Sequence, residues 1–83
     1  MEAAEVKALI ESAIDDAEAN VEVQGNSYQV RVVGDCFEGL NAVKKQQIVY
    51  RALGDQIADG TIHAVTMQLY TVAEWQKAKK LML

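Results

Sequence analysis

Two strand-patterned stretches, one carrying Tyr28, Val30 and Val32 and the other running from Ile62 to Leu69, are separated by a helix-patterned segment that opens at Leu40-Asn41 and reaches about Asp59. A helix between two strands is a crossover, which joins parallel strands of one sheet by a right-handed path. Just upstream, Val21 and Val23 alternate with Glu22, and Gln24-Gly25-Asn26-Ser27 supplies turn chemistry before Tyr28. That pair reads as an antiparallel hairpin. A hairpin and a crossover sharing one strand give a mixed three-stranded sheet.

Helices fill the remainder. Val6, Leu9, Ile10, Ala13, Ile14 and Ala17 recur at three- and four-residue spacing and predict a first helix over about residues 3–19, with an acidic outer face. In the central helix, Val43, Gln46 or Gln47, Tyr50, Leu53 and Ile57 are expected on the inner face, with Lys44, Ile48, Arg51 and Asp55 together on another. Gly54 costs about 1 kcal/mol relative to alanine, which leaves open a break near Leu53. Asp59-Gly60 stops the helix. Gly34 and Gly39 frame a turn in which both are free to take positive φ. Thr71-Val72-Ala73-Glu74 has the form of a capping box for a last helix, whose stripe is expected to be Val72, Trp75, Ala78 and either Leu81 or Met82.

The order is helix, strand, strand, helix (single or split), strand, helix. The expected fold is α+β, a three-stranded mixed sheet with helices packed on one face, like the type II KH arrangement. At 83 residues there is room for one domain, 1–83, burying roughly 60 to 65% of the unfolded surface.

Composition narrows the function classes. The longest uncharged run, starting at Gly60, is too short and too rich in Thr, Gln and Tyr to span a bilayer. The acidic, helix-patterned amino terminus is the reverse of a signal peptide, and the single cysteine, Cys36, cannot form an internal disulfide, so a cytoplasmic location is the expectation. Charge is split along the chain. Residues 1–43 hold nine acidic side chains against Lys7 and Arg31, whereas residues 44–83 hold six basic side chains against Asp55, Asp59 and Glu74. Such a division creates either plain solvated helix faces or a basic face for an acidic partner.

The chain has one histidine, His63. Counting by twos from it reaches Val65, Met67 and Leu69, which predicts an imidazole on the apolar face at its open end. Two readings stand: a packing residue hydrogen-bonded to a backbone carbonyl, or a metal ligand or titrating group with one ring nitrogen accessible. One histidine cannot hold a metal alone. Cys36 has no neighbouring cation in sequence to make it a thiolate and is read as a small apolar filler. No CxxC, HxxxE or serine-histidine-acid set occurs, and Asp15-Asp16 is read as a solvated pair, so the chain is not expected to be an enzyme. Lys44, Lys45 and Arg51, with Lys77, Lys79 and Lys80, form at most a weak patch for DNA. The GXXG clamp of nucleic-acid-binding KH domains is missing, Gly34 to Gly39 encloses two acidic residues, and the pI is near 4.8.

The run FEGLNAVKKQQIVYRALGDQIADGTIHAVTMQLYTVAEW resembles the BolA-like family, and VKKQQIVY with IADGTIHAVTMQLYTVAEW is similar to its YrbA/IbaG branch. The resemblance extends from the first helix to Lys80. It implies a type II KH-like fold, a stress-response setting, and a role as partner of a monothiol glutaredoxin in handling a [2Fe-2S] cluster. His63 matches the ligand that the family supplies, while the glutaredoxin's cysteine and glutathione supply others. An imidazole in place of a thiolate raises a cluster's potential. Many members carry a second candidate ligand in the first hairpin loop, where this chain has Ser27. The alternative function is a DNA-binding regulator using Lys44 and Lys45. A small interaction module acting through an exposed Ile48 between Lys44 and Arg51 is compatible with the first reading, and homodimer formation is left open.

Overall fold

A computed structural model describes residues 2–62 and 64–82, the side chain of Met82 excepted. The elements run α1 (Ala3–Ala13), β1 (Ala17–Gln24), β2 (Ser27–Gly34), a 3₁₀ turn (Asp35–Phe37), α2 (Ala42–Ala58), β3 (Ala64–Tyr70) and α3 (Val72–Met82). The sheet order is β1-β2-β3, with β1 antiparallel and β3 parallel to β2. The expected α+β fold with a mixed sheet is therefore the observed one. Gln24 pairs with Ser27 around a two-residue loop, and of its two residues only Gly25 has positive φ, at 59°. Glycine at the first central position suits the right-handed twist of the strands.

The core lies between this sheet and helices α1 and α2. Val6 and Ile10 of α1, Tyr28, Val30 and Val32 of β2, and Val49 and Leu53 of α2 are buried, together with Phe37 and Ile62. Val65, Met67 and Leu69 of β3 stand in register with Tyr28, Val30 and Val32 and pack against the same cluster. The period-two alternation thus holds along β3.

Several boundaries differ from expectation. Helix α1 ends at Ala13, not near residue 19: Ile14 is extended, and Asp16 turns the chain at φ 60°. Ala17 and Ala19 belong to β1, where Ala19 is fully buried. Their spacing satisfies a helical stripe and a strand alternation equally, and the ladder with β2, which sets them opposite Gly34 and Val32, decides for the strand. Gly34 is itself extended, at φ −172°. Its role is close approach, since a Cβ there would lie 3.2 Å from Ala17 Cα and 3.3 Å from the Asp16 carbonyl oxygen. Gly39, at φ 78°, supplies the positive-φ turn.

Helix α2 is unbroken at Gly54. Its buried stripe is Val49 and Leu53, flanked by Ile48, Ala52 and Ile57, while Val43 and Tyr50 are exposed. Leu53 and Ile57 lie inward as expected, but Val49, Ile48 and Ala52 complete the stripe in place of Val43, the glutamines and Tyr50, because these apolar side chains pack on the core where glutamines would not. Ile48 is partly buried and packs on the core, so it is not the exposed residue expected between Lys44 and Arg51. In α3, Val72 is exposed and Leu81 is 89% exposed, so only part of the expected stripe is packed. The helix is fastened through Trp75, whose ring lies 5.5 Å from that of Tyr70 and under the Arg31 guanidinium at 4.4 Å. Arg31 alternates with Val30 and Val32, so this anchorage lies across the sheet from α1 and α2.

Candidate functional site

The third strand is approached through a tight turn. The Asp59 carboxylate accepts the Thr61 backbone N–H at 2.9 Å, and the buried Ile62 donates its N–H to the Gln56 carbonyl at 3.1 Å. Strand β3 begins at Ala64, which is exposed and in register with Ser27. His63, between them in sequence, lies outside the described residues. Its two sequence neighbours sit at the end of the sheet where the Gly25-Asn26 loop also lies. Ser27, the position aligned with a second ligand, opens β2 at this end and offers only a hydroxyl.

Cys36 is at the other end. It follows Gly34, seven residue steps along β2 from Ser27, or roughly 23 Å at about 3.3 Å per residue. Its side chain is exposed, and the interior position read for it is taken by Phe37, which is fully buried. Partial desolvation pushes the thiol above its ordinary value, and the carboxylates of Asp35 and Asp16 add to the effect. The residue is not a reactive thiolate, and it lies at the end of β2 opposite to Ser27 and Ala64. Among the described residues no group of three or more His, Cys, Asp or Glu side chains could hold a metal ion.

The basic helix is weaker than its sequence suggests. Lys45 Nζ lies 2.9 Å from Glu74 Oε1 with only 13% of its side chain exposed, so its charge is matched. Lys44 and Arg51 remain exposed. Glu74 also closes the expected capping box, its Oε1 accepting the Thr71 N–H at 2.8 Å while Thr71 Oγ1 accepts the Glu74 N–H at 3.1 Å. The Thr71 N–H, and then Lys45, hold the Glu74 carboxyl below its usual value. Asn41 caps α2 by accepting the Lys44 N–H.

Sequence reasoning passed over the polar face of the sheet. Asn20, Glu22, Gln29, Arg31, Thr66 and Gln68 line a shallow depression of about 230 Å³ there. The signal was present in the residues that alternate out of phase with the core, each polar in all three strands.

The BolA-like protein family model matches residues 2–74. The chain is 43% identical over 81 residues to Acid stress protein IbaG of Escherichia coli (strain K12), covering 98% of this chain and 96% of that one. Among solved structures it is similar to a bolA protein homologue from Coxiella burnetii, with a TM-score of 0.80, 27% identity, and 92% and 97% of the two chains covered. It is also similar to the BolA domain of SufE1 from Arabidopsis thaliana, with a TM-score of 0.74, 26% identity, and 87% and 93% covered. No described helix is long and apolar enough to cross a membrane. A match over most of the length, a relative of this identity and the shared helix-hairpin-crossover order lead to one assignment: the chain belongs to the BolA-like family, in its YrbA/IbaG branch.

Proposed function

We propose that this protein is a non-enzymatic partner of a monothiol glutaredoxin in the reducing cytoplasm, binding or transferring a [2Fe-2S] cluster to which His63 contributes an imidazole. The observation that carries this reading is the donor inventory at the β2–β3 end of the sheet. The described neighbours there offer a hydroxyl from Ser27 and a carboxamide from Asn26, neither a good iron ligand, and the lone cysteine is a strand's length away. A cluster at this end takes at most one ligand of suitable chemistry from this chain and draws the rest from its partner's cysteine and from glutathione. A site divided in this way suits exchange between proteins, and a neutral imidazole raises the cluster's potential relative to a thiolate. The cluster is cargo here and passes through a shared complex.

The test is an anaerobic titration of a cluster-loaded monothiol glutaredoxin and glutathione with this chain, followed by visible absorption and circular dichroism. The parent chain and Cys36→Ser should change the cluster spectrum alike, and His63→Ala should not change it. A His63→Ala variant that is folded and alters the spectrum as the parent does would remove His63 from the cluster.

A further inference from the structure

Strand β1 is an edge of the sheet, and a clasp from α1 covers one point on it. Glu11 Oε2 accepts the Ala19 backbone N–H at 3.1 Å, Lys7 Nζ donates to the Ala19 carbonyl at 2.7 Å, and the two side chains pair at 2.8 Å. Because Ala19 directs both backbone groups away from β2, its pair with Val32 is a non-hydrogen-bonded pair of the antiparallel ladder. Alternation then turns the N–H and C=O of Val21 and Val23 outward as well. This parity agrees with Gln24 and Ser27 closing a two-residue hairpin as a hydrogen-bonded pair. Among the described residues, no loop or side-chain hydrogen bond from outside the sheet reaches Val21 or Val23. Two donors and two acceptors are left in a row on an uncovered edge, where most edge strands are protected.

The unpaired charge along the strand has one sign. Glu18 and Glu22 are exposed on β1, and Asp15 and Asp16 stand at its start. The two basic residues of the first 43 are both engaged, Lys7 in the clasp and Arg31 over Trp75. Val23 adds an apolar contact at 39% exposure on the other side of the strand. We propose that this open stretch of β1 accepts an extended, Lys/Arg-rich segment of a partner protein as a fourth strand. The segment's basic side chains pair with Glu22, while its backbone takes the four free groups of Val21 and Val23. A second copy of the chain fits less well, because its acidic edge would lie against this one.

The probe is a fluorescein-labelled peptide of alternating lysine and valine, measured against the full chain by anisotropy at physiological salt, with an alternating glutamate and valine peptide as control. Val23→Pro removes an outward N–H and leaves the β1–β2 ladder its own bonds, and Glu22→Lys reverses the local charge. Each variant, shown folded by circular dichroism, should weaken binding about tenfold or more. The glutamate peptide should not bind, and the Val21 and Val23 amides of the parent should gain hydrogen-exchange protection when the lysine peptide binds. That protection decides the matter if Val23→Pro does not fold. The proposal is overturned by absence of binding, by a folded Val23→Pro that binds as the parent does, by protection elsewhere on the chain, or by self-association of the chain that displaces the peptide.

Discussion

Lys45 on α2 and Glu74 on α3 meet at 2.9 Å, and the carboxylate oxygen that receives the lysine also accepts the Thr71 N–H. One atom therefore serves as helix cap and as tie between two elements separated by β3. The same pairing withdraws one of the three charges that a nucleic-acid reading of α2 would use.

Thr71→Ala should lower stability by about 1 kcal/mol through loss of the N-cap, a fall of roughly 4–8 °C in Tm for a domain of this size. Glu74→Gln keeps a hydrogen-bond acceptor but loses the ion pair, and should have the smaller effect. Thermal unfolding followed by circular dichroism checks both. Trp75 fluorescence should change ahead of the global transition if α3 detaches first.

Stability should hold from neutral pH to about pH 5 and fall below about pH 4. Glu11 is held below its ordinary value by Lys7 and the Ala19 N–H, Asp59 by its hydrogen bonds to Thr61, and Glu74 by the Thr71 N–H and Lys45. A depressed folded pKa means that the unfolded chain binds the proton more readily. The contribution is complete above the unfolded values of about 4, and is lost as pH falls through the lower folded ones. Urea midpoints against pH test this, and Glu11→Gln should flatten the acid limb. These three carboxylates are therefore unsuited to sensing mild acidification.

Much of this architecture was legible because period-two and period-3.6 patterns disagree clearly over residues 28–32, 49–57 and 65–69. The hairpin turn and the Thr71–Glu74 box were readable for the same local reason, each being a short-range bond between named positions. The end of α1 was not, since alanines at 17 and 19 suit either period and the deciding factor was pairing with a distant strand. The phase of α2 was readable at Leu53 and Ile57 but not at its start, because glutamines at 46 and 47 blurred the stripe, and Ile48 was placed outside when it packs against the core. For the candidate site, Cys36 was misjudged as filler because burial in a six-residue loop depends on which side chain the turn directs inward, and that was Phe37. The polar sheet face lacks a motif and becomes visible only when three strands are set side by side.

Alanine at two glycines should have opposite effects. Gly34→Ala forces a methyl group against Ala17 and the Asp16 carbonyl and should cost about 1–3 kcal/mol. Gly54→Ala meets nothing within 4 Å in the middle of α2 and should gain up to about 1 kcal/mol. Denaturant midpoints of the two variants against the parent provide the comparison.

Phe37→Ala removes a fully buried ring and should cost about 3–5 kcal/mol, a large share of the roughly 5–15 kcal/mol available to a domain. Its neighbour, the exposed Cys36, should tolerate alanine within about 0.5 kcal/mol. Equal losses at the two positions, measured by urea unfolding, would contradict the assignment of Phe37 to the interior.

The parallel pairing of Ser27 with Ala64 has a kinetic meaning. The β1–β2 hairpin closes over two residues, whereas β3 can dock only after the whole intervening segment with its helix has been drawn back, an ordering cost that grows with the chain enclosed. The rim proposed for the cluster is thus completed late in folding, and a chain that has not finished folding would have little means of engaging a cluster donor.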